Sequence, residues 1–447
     1  MPASHILLAA AGAAAAAAAG PEGPPPAVDR WLLDGHGAGR AQFAPPAGAG
    51  GWSVSVPRTD CHQLDFYTPF SSYSVNAGLA ARDGPGQAPQ LALPLLCGAA
   101  ATPFLWVVDP LSGTTVAFAA LPHTQSLESY AKYMPGGEVA LGTNGSFVSL
   151  FDSSSLELLY SNGAIAGGGG GAQVLAVTKP TATQPSQLQV AGGTGGPDWW
   201  GAAGDLPLGG GSFPVTNIQG NADSTVCMGA DGRSMFNNQR FESPGGVTRF
   251  VMPFPSAPET YNTGSQQWPW QMRSAFDGRV AALNDGVLTL YGAAAGHKAL
   301  WSYGPLDNSG PATLVWSDDE KLIIFTNASH LVSVSAASGK PAAVVLFTGK
   351  AFGATACAAQ QSPWAIPNPV PLPGAGGRLP VVVLCSAPGG GHFVRTVDAQ
   401  KGKVSATSAA FAWDVNQALV DARGNVYAVG VGSGGAVTLA RVAAPAL

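Results

Sequence analysis

The chain has 447 residues, of which 46% are hydrophobic and only 11% are charged, and it contains 60 glycines and 37 prolines. Its net charge is −5, and no basic cluster is longer than a pair of residues, which excludes the electrostatic footprint of a nucleic-acid-binding protein. The hydrophobic content argues against disorder, and the many turn-forming residues argue against long helices. The composition therefore favours many short strands that are joined by tight turns.

Residues 1–20 resemble a secretory signal peptide, because an apolar, alanine-rich run ends in small residues before a proline-rich segment. Only His5 can add a positive side chain to this run, so an inert alanine-rich leader is the alternative. The run is too short and too rich in alanine for a transmembrane anchor, which needs about 20 predominantly apolar residues. We therefore expect export to the secretory lumen or the cell exterior. Glycosylation sequons at Asn144 and Asn327 fit export but also arise by chance.

Residues 21–51 form a lead-in that is rich in proline and glycine, and the next residues, WSVSV at 52–56, predict a first strand. We expect this strand to complete the last sheet of the fold, so that the N-terminal and C-terminal strands pair. Such pairing protects sheet edges that would otherwise stay open.

The five cysteines are Cys61, Cys97, Cys227, Cys357 and Cys385. They form no C-x-x-C motif, so zinc binding and thioredoxin-like chemistry have no support. In an oxidising compartment we expect disulfides between Cys61 and Cys97 and between Cys357 and Cys385, which are neighbours in sequence, with Cys227 left over. The alternative is five buried thiols that behave as small hydrophobic residues.

Residues 105–118, LWVVDPLSGTTVAF, begin a series of repeated units. Their β-branched and aromatic residues predict a strand that Asp109 ends, because its short side chain can accept hydrogen bonds from the turn backbone. Gly113 can then take the positive φ that closes a hairpin. In the other units Leu156 takes the glycine position once. The turn positions of the repeat are Asp109, Gly113, Asp152, Leu156, Gly292, Gly296, Ser335, Gly339, Asp398 and Gly402.

The repeat returns at intervals in the low forties of residues, with several strands in each unit, and this period is typical of a β-propeller. A single unit cannot bury its own apolar faces, so the units must stack and the ring must close. We predict an all-β fold with seven or eight four-stranded antiparallel blades, and we prefer eight. The propeller is expected to be one domain over residues 52–444.

Units that read strand, L-x-x-x-D-x-x-x-G and a return strand with an aromatic residue resemble the repeats of the pyrroloquinoline quinone-like, or quinoprotein alcohol dehydrogenase-like, propellers. Phe118 and Trp301 each follow a turn glycine by five residues and are expected to dock between blades. The lead-in at 29–52 is also similar to that of the family. The resemblance covers most of residues 29–444, but it is poor over a degenerate, loop-rich stretch at 165–270.

Catalytic members of that family oxidise alcohols or sugars with the quinone and a calcium ion, often beside a disulfide between adjacent cysteines. This chain has no adjacent cysteines, and its sequence offers no convincing set of the six to eight oxygen ligands that calcium takes. The densest acidic cluster, Asp318, Asp319 and Glu320, precedes a predicted strand and is interpreted as a solvated turn. The resemblance therefore implies the fold and a non-catalytic member, and we predict no catalytic residue, metal site or cofactor.

Tryptophans in the degenerate stretch are the candidate ligand-binding residues, namely Trp199, Trp200, Trp268 and Trp270. Glycine and proline bracket them, which predicts loops whose indoles could stack on sugar rings or contact a protein. The alternative, which we favour, is that they pack between blades.

We expect a secreted, monomeric binding or scaffold module whose blade-top loops hold a protein or glycan partner. The competing hypothesis is a divergent oxidoreductase that uses pyrroloquinoline quinone and calcium to act on an alcohol or sugar. The enzyme would need acidic and amide side chains that converge on the mouth of the central channel, whereas the scaffold would not.

Overall fold

The fold is given by a computed structural model of the chain. The described residues are 49–63, 65–67, 74–76, 79–82, 87–127, 131–134, 136–144, 147–162, 173–177, 188–192, 199–202, 215–217, 227–228, 234–239, 246–251, 259–262, 269–275, 277–284, 286–293, 298–304, 313–317, 319–326, 330–346, 370–371, 380–386, 392–407, 411, 413–421, 423–432 and 434–442. Every regular element within them is a β-strand. None of these residues belongs to a helix that could pass through a lipid bilayer.

The described strands form eight antiparallel sheets, which are the blades, and one two-stranded ribbon. The chain begins with β1 (Trp52–Ser55), which belongs to the last blade. Blade 1 contains β2 (Cys61–Gln63), β5 (Ala80–Arg82), β6 (Gln90–Cys97), β7 (Thr102–Val108) and β8 (Thr115–Ala120). The ribbon contains β3 (Asp65–Tyr67) and β4 (Ser74–Asn76). Blade 2 contains β9 (Lys132–Tyr133), β10 (Val139–Thr143), β11 (Phe147–Phe151) and β12 (Leu158–Asn162).

Blades 3 and 4 lie in the stretch where the repeat is poor. Blade 3 contains β13 (Gln173–Val177), β14 (Leu188–Gly192), β15 (Trp199–Ala202) and β16 (Val215–Asn217). Blade 4 contains β17 (Cys227–Met228), β18 (Ser234–Gln239), β19 (Gly246–Val251) and β20 (Glu259–Asn262). The degenerate sequence thus still supplies two complete sheets.

Blades 5 to 8 follow the same order along the chain. Blade 5 contains β21 (Pro269–Ser274), β22 (Val280–Asn284), β23 (Val287–Tyr291) and β24 (Ala299–Tyr303). Blade 6 contains β25 (Thr313–Trp316), β26 (Leu322–Thr326), β27 (His330–Ser335) and β28 (Pro341–Leu346). Blade 7 contains β29 (Val370–Pro371), β30 (Pro380–Ser386), β31 (His392–Asp398) and β32 (Lys403–Thr407). Blade 8 contains β33 (Asp414–Val420), β34 (Val426–Val431) and β35 (Val437–Val442), and β1 completes it.

Closure of the ring follows the prediction. β1 pairs with β35 in antiparallel register from Trp52 opposite Arg441 to Ser55 opposite Thr438. The all-β propeller, its four-stranded blades, the preference for eight blades and the pairing of the terminal strands are therefore confirmed.

Strand order within the blades places the first strands around the axis and the last strands on the rim. The first strands of neighbouring blades contact one another, as β17 does with β21, β21 with β25 and β25 with β29. The last strands are the most exposed, as the burial of β24 and β28 shows. The core lies between the blades and includes the fully buried Trp106, Phe151 and Phe325.

The innermost strand of blade 1 is interrupted. β2 pairs with the end of β6 and β5 pairs with its beginning, and the two strands that separate β2 from β5 in the sequence, β3 and β4, form the separate ribbon. Pro94 lies in β6 opposite this interruption and is buried. A proline has no N–H to donate to a neighbouring strand, so an interior strand accommodates it best where the ladder is already broken.

The turns between the third and fourth strands have the geometry that their sequences predict. The N–H of Gly113 donates to the carbonyl of Asp109 over 2.8 Å, and Gly339 and Gly402 donate equivalently to Ser335 and Asp398. The φ angles of the glycines are 75°, 68° and 65°. Their left-handed backbone explains why glycine recurs at this position.

Blade 2 has Leu156 where the other turns have glycine. Its φ is 60°, and its N–H donates to the carbonyl of Asp152 over 2.9 Å, so the turn is the same despite the side chain. A non-glycine residue in this conformation costs about 1–2 kcal/mol. The leucine side chain is buried in the core between blades, which offsets this cost.

Asp152 stabilises the same turn with its carboxylate. Its Oδ1 accepts hydrogen bonds from the backbone N–H groups of Ser154 at 2.9 Å and Ser155 at 2.7 Å. The N–H of Ser155, followed by that of Ser154, lowers the pKa of Asp152 below its ordinary value. The folded pKa lies below the unfolded one, so this stabilisation is present above the unfolded pKa and is lost as the pH falls through the folded pKa.

We expect Asp152→Ala to lower the free energy of unfolding by about 1 kcal/mol at neutral pH, the usual loss for a capping side chain in a solvent-screened position. Below the folded pKa the deficit should shrink, because the wild-type carboxyl is then protonated. Denaturant unfolding of both proteins at the two pH values measures this. Ser154→Ala is the control, since its backbone N–H is kept. An Asp152→Ala deficit that is unchanged at low pH would contradict the role of the charge.

Candidate functional site

Large hydrophobic side chains are exposed mainly on the outermost strands. Over the residues whose side chains the structure describes, the exposed set is Val116, Leu159, Leu300, Val344, Leu346 and Val431. Five of these six lie on the last strand of a blade, and two of them, Val344 and Leu346, lie on β28. Single exposed apolar residues are normal on a protein surface, whereas two on one strand expose more apolar surface in one place.

Val344 and Leu346 face the neighbouring blade 5. Val344 pairs with Val332 of β27, so both side chains lie on one face of blade 6. Val332 is buried in a cluster with Leu290 of blade 5, and Trp301 packs against this cluster. Leu346 lies two positions beyond Val344 and shares its face.

On the opposite wall, Trp301 and Tyr303 of β24 are half-buried. Trp301 and Tyr303 thus lie on the face of blade 5 that is turned toward Val344 and Leu346 of blade 6, and we call the surface of these four residues the blade 5–6 groove. Val344 is 55% exposed and Leu346 is 53% exposed, so the groove presents apolar surface to solvent. Aromatic residues next to aliphatic ones are the composition that marks the centre of protein interfaces.

Trp301 fixes the groove in position. Its indole Nε1–H donates to the carbonyl of Ala336 in the turn of blade 6 over 2.9 Å. The ring also lies so close to Gly339 that a Cβ there would be 2.7 Å from its Cδ2 atom. The wall contributed by blade 5 is therefore held rigidly against blade 6.

Trp52 makes the same contact where the ring closes. Its Nε1–H donates to the carbonyl of Pro110 over 3.0 Å, and a Cβ on Gly113 would lie 2.7 Å from its ring. The predicted docking of an aromatic residue between blades is thus present at Trp301 and also at Trp52, for which the sequence predicted only strand pairing.

Phe118 does not occupy the position equivalent to Trp301. In blade 5 the N–H of Gly292 donates to the carbonyl of Lys298, and in blade 1 the N–H of Asp109 donates to the carbonyl of Thr114. The turn in blade 5 is therefore one residue longer than the turn in blade 1. In both blades a β-bulge follows this turn and interrupts the pairing of the third and fourth strands. The first residue of the fourth strand that pairs beyond the bulge is Trp301 in blade 5 and Ala117 in blade 1. The residue five positions after Gly113 therefore lies on the face of β8 opposite to the one that Trp301 occupies on its strand. There the ring centroid of Phe118 lies 5.1 Å from that of Phe104.

The backbone edge of β28 is open among the described residues, because β28 is the last strand of its sheet. Its sequence, PAAVVL, contains no charged or polar side chain. Natural proteins usually protect an edge strand with charges, bulges or a covering segment, since an exposed apolar edge accepts another strand. Sequence reasoning missed β28, although an uncharged six-residue return strand was a visible signal.

Lysines surround the beginning of this strand. Lys298 precedes β24 and Lys340 precedes β28, and both are exposed. Two nearby acidic residues that the structure describes have other partners, since an Asp319 carboxylate oxygen lies 3.0 Å from Lys321 Nζ and a Glu320 carboxylate oxygen lies 4.0 Å from Arg279 Nη2. Across the described part of the chain, neither Lys298 nor Lys340 has an ion-pair partner. These two lysines are therefore available to the carboxylates of a partner.

The acidic turn before β26 is a local structure. Asp319 accepts hydrogen bonds from the Ser317 hydroxyl at 2.9 Å and the Lys321 N–H at 3.1 Å, while Asp318 lies outside the described residues. Burial pushes the pKa of Asp319 upward, but the bonds and charge of Lys321 outweigh this and lower it below its ordinary value. These contacts fit a capped turn.

A calcium ion with its quinone would need six to eight oxygen ligands. Where side chains are described, no group of three or more histidine, cysteine, aspartate or glutamate residues is arranged to hold a metal ion. The described disulfide joins cysteines 36 residues apart rather than adjacent ones. We assign no chemistry to that cofactor.

The predicted tryptophans lie on strands where they are described. Trp199 and Trp200 are in β15, between Gly192 and Ala191 on one side and Asn217 and Thr216 on the other. Trp270 is in β21 and Trp268 lies outside the described residues. The structure places the three described tryptophans in two different blades. Flanking glycine and proline end strands as well as form loops, which is why the loop prediction is wrong for the three described tryptophans.

Cys61 and Cys97 form a disulfide with a Cα–Cα distance of 4.0 Å, which links β2 to β6. Cys227 is in β17 and Cys385 is in β30, while Cys357 lies outside the described residues.

Asn144 is held in a turn, where its Oδ1 accepts a hydrogen bond from the N–H of Gln125 at 2.6 Å and its Nδ2 donates one to the backbone carbonyl of His123 at 2.9 Å. This is the nitrogen that a glycan would occupy. Asn327 lies outside the described residues, as does Gly296.

Comparison with known proteins supports the fold. No protein-family model matches the chain, and no curated protein matches its sequence. Among solved structures, the C-terminal WD40 domain of Sif2 is similar with a TM-score of 0.52 and 10% identity, over 82% of this chain and 96% of that one. The computationally designed protein Ika8 is similar with a TM-score of 0.51 and 13% identity, over 83% of this chain and 98% of that one. Together with the eight sheets, these likenesses show that the chain folds as a β-propeller.

Proposed function

We propose that this propeller is a binding module for a protein partner and that the blade 5–6 groove is its binding surface. The observation that carries the proposal is the pair of exposed side chains on β28, Val344 and Leu346, beside the half-buried Trp301 and Tyr303. A protein partner would bury this apolar surface and an aromatic anchor together, which is the arrangement that dominates binding energy in protein interfaces.

We also propose that the protein works in an oxidising compartment. The leader at residues 1–20 supports export, and the disulfide between Cys61 and Cys97 supports an environment in which disulfides persist. The repeats that resemble those of pyrroloquinoline quinone-like propellers support that subtype of the fold. The partner is a protein in preference to a glycan, because the groove walls are apolar, whereas sugar sites add directed polar groups.

Photocrosslinking tests the proposal. A benzophenone side chain is placed at Val344, with Val116 on β8 as the matched control, since it is 42% exposed on the equivalent strand of blade 1. We expect the first variant alone to form a discrete adduct with a protein from the source cells. The adduct is then identified by mass spectrometry.

The identified protein is next purified and titrated against the wild type, Val344→Glu and Val116→Glu. Placing a charge in the groove should weaken binding about tenfold or more, because the carboxylate must be desolvated, and Val116→Glu should leave affinity within about twofold. Equal crosslinking at both positions, or equal affinity of both variants, would remove the groove as the binding surface.

A further inference from the structure

The blade 5–6 groove is bordered by a strand edge to which no other described strand pairs, and these two features together specify the form of its partner. We propose that β28 receives an extended segment of the partner as an added antiparallel strand, and that acidic residues follow the C-terminal end of that segment. This inference rests on the proposed function and names the chemistry that the partner presents.

The backbone of β28 supplies the first requirement. It is the outermost strand of blade 6. Pro341 and the bulge at Ala342 interrupt its beginning, whereas the regular part from Ala343 to Leu346 lacks any charged side chain that would keep another strand away. Main-chain hydrogen bonds to such an edge give affinity, and pockets for alternate side chains give specificity. The antiparallel direction continues the pattern of β27 and β28 and is the more stable pairing.

The side chains of β28 supply the alternation. Val344 and Leu346 face the groove, whereas Ala343 and Val345 face blade 7. A Cβ added to Gly402 of blade 7 would lie 3.1 Å from the Cβ of Ala343 and 3.2 Å from the Cγ2 of Val345. Residues directly opposite on paired strands lie on the same face of the sheet. Every second residue of an added strand would therefore enter the groove, and these positions should be apolar.

Two lysines at the beginning of the groove determine which end of the added strand should be acidic. The exposed Lys298 and Lys340 stand where β24 and β28 begin, without an ion-pair partner among the described residues. Neighbouring blades share one strand order, so both lysines lie at the same side of the ring. In an antiparallel pair the C-terminal end of the added strand meets the beginning of β28, and carboxylates there would complement the lysines.

A second copy of this chain fits less well. An interface between two copies about a two-fold axis uses the same patch on both sides. Neither β24 nor β28 contains an acidic residue, so the copy's strands would bring no carboxylate to Lys298 and Lys340.

The experiment uses the purified full chain and a fluorescein-labelled peptide of alternating valine and threonine that ends in two aspartates. A second probe ends in two lysines, and a third is the acidic peptide with N-methyl groups on the backbone nitrogens of alternate residues. Fluorescence anisotropy should show the acidic probe binding about tenfold more tightly than the basic one, and N-methylation in the pairing register should abolish binding.

Variants then locate the site. Val344→Glu and Leu346→Glu should each weaken the acidic probe about tenfold or more, whereas Val116→Glu should change its affinity less than twofold. Lys298→Glu with Lys340→Glu should reverse the preference, so that the basic probe binds more tightly. These side chains are exposed, so the variants are expected to keep the wild-type unfolding midpoint.

The outcomes separate this inference from the proposed function. Binding that depends on Val344 but ignores N-methylation and peptide charge overturns strand addition and leaves the groove as a protein-binding surface. No binding of any probe, with the Val344 crosslink still formed, also overturns only this inference. Val344-dependent dimerisation in sedimentation, or Val344-dependent binding to vesicles of phosphatidylserine and phosphatidylcholine without peptide binding, overturns both and assigns the edge to that occupant.

Discussion

Replacing Cys61 and Cys97 together with alanine is expected to lower the free energy of unfolding by about 3–4 kcal/mol, the largest effect of any change that we predict. The disulfide closes a loop with a sequence separation of 36 residues. That loop contains the ribbon and the interruption of the innermost strand of blade 1, where β2 is only three residues long. Without the covalent link the unfolded chain gains conformational entropy, and the short strand β2 makes few interactions in the folded state to offset this gain.

Denaturant unfolding in the absence and presence of a thiol reductant measures this effect. The reductant should shift the unfolding midpoint of the wild type toward that of the double variant. Any shift of the double variant itself would report the second predicted disulfide, between Cys357 and Cys385. Because both half-cystines are buried, part of the loss in the variant comes from packing. An equal midpoint for the wild type and the double variant under oxidising conditions would show that the disulfide does not stabilise the fold.

The second large effect is expected for Gly339→Ala, which should cost about 3 kcal/mol. The φ of Gly339 is 68°, and an added Cβ would lie 2.7 Å from the ring of Trp301. The alanine thus pays for a left-handed backbone and also displaces the indole, with its hydrogen bond to Ala336. Measurement of the unfolding free energy and of tryptophan fluorescence reports both consequences.

Gly435→Ala separates these two contributions. Gly435 has a φ of 77°, but nothing lies within 4 Å of the Cβ that would be added there. This variant should lose about 1 kcal/mol from backbone strain alone. In a Trp301→Ala background, Gly339→Ala should cost no more than Gly435→Ala does, because the steric conflict is gone. If both glycine variants lost the same free energy in the wild-type background, the docked indole would contribute nothing.

Much of the fold could be predicted because each blade repeats a local pattern. Asp109 and Gly113 define a turn through short-range hydrogen bonds and φ, which depend only on neighbouring residues. Two such turns at a constant interval are enough to indicate the period. The pairing of β1 with β35 was predictable for a different reason, since a ring leaves no other partner for an unpaired terminal strand.

The error at Phe118 shows where local reasoning stops. One additional residue in the turn of blade 5 moves Trp301 to the face that Ala117 occupies in blade 1. A shift by one residue exchanges the two faces of a strand, and the length of a turn is only known once its hydrogen bonds are known. The candidate groove was missed for a related reason, because exposure of Val344 depends on how two blades pack and not on its own sequence neighbours.

The pairing of β1 with β35 also sets the order of events during synthesis. β1 is made before every other described strand, and its partner, Val437–Val442, is made after all of them. Throughout that interval β1 has a free edge, and a newly made β35 has one until β1 pairs with it. Two newly completed chains that exchange β1 would satisfy the edges of both. Crowded synthesis therefore favours an intertwined dimer as the characteristic misassembly product of this fold.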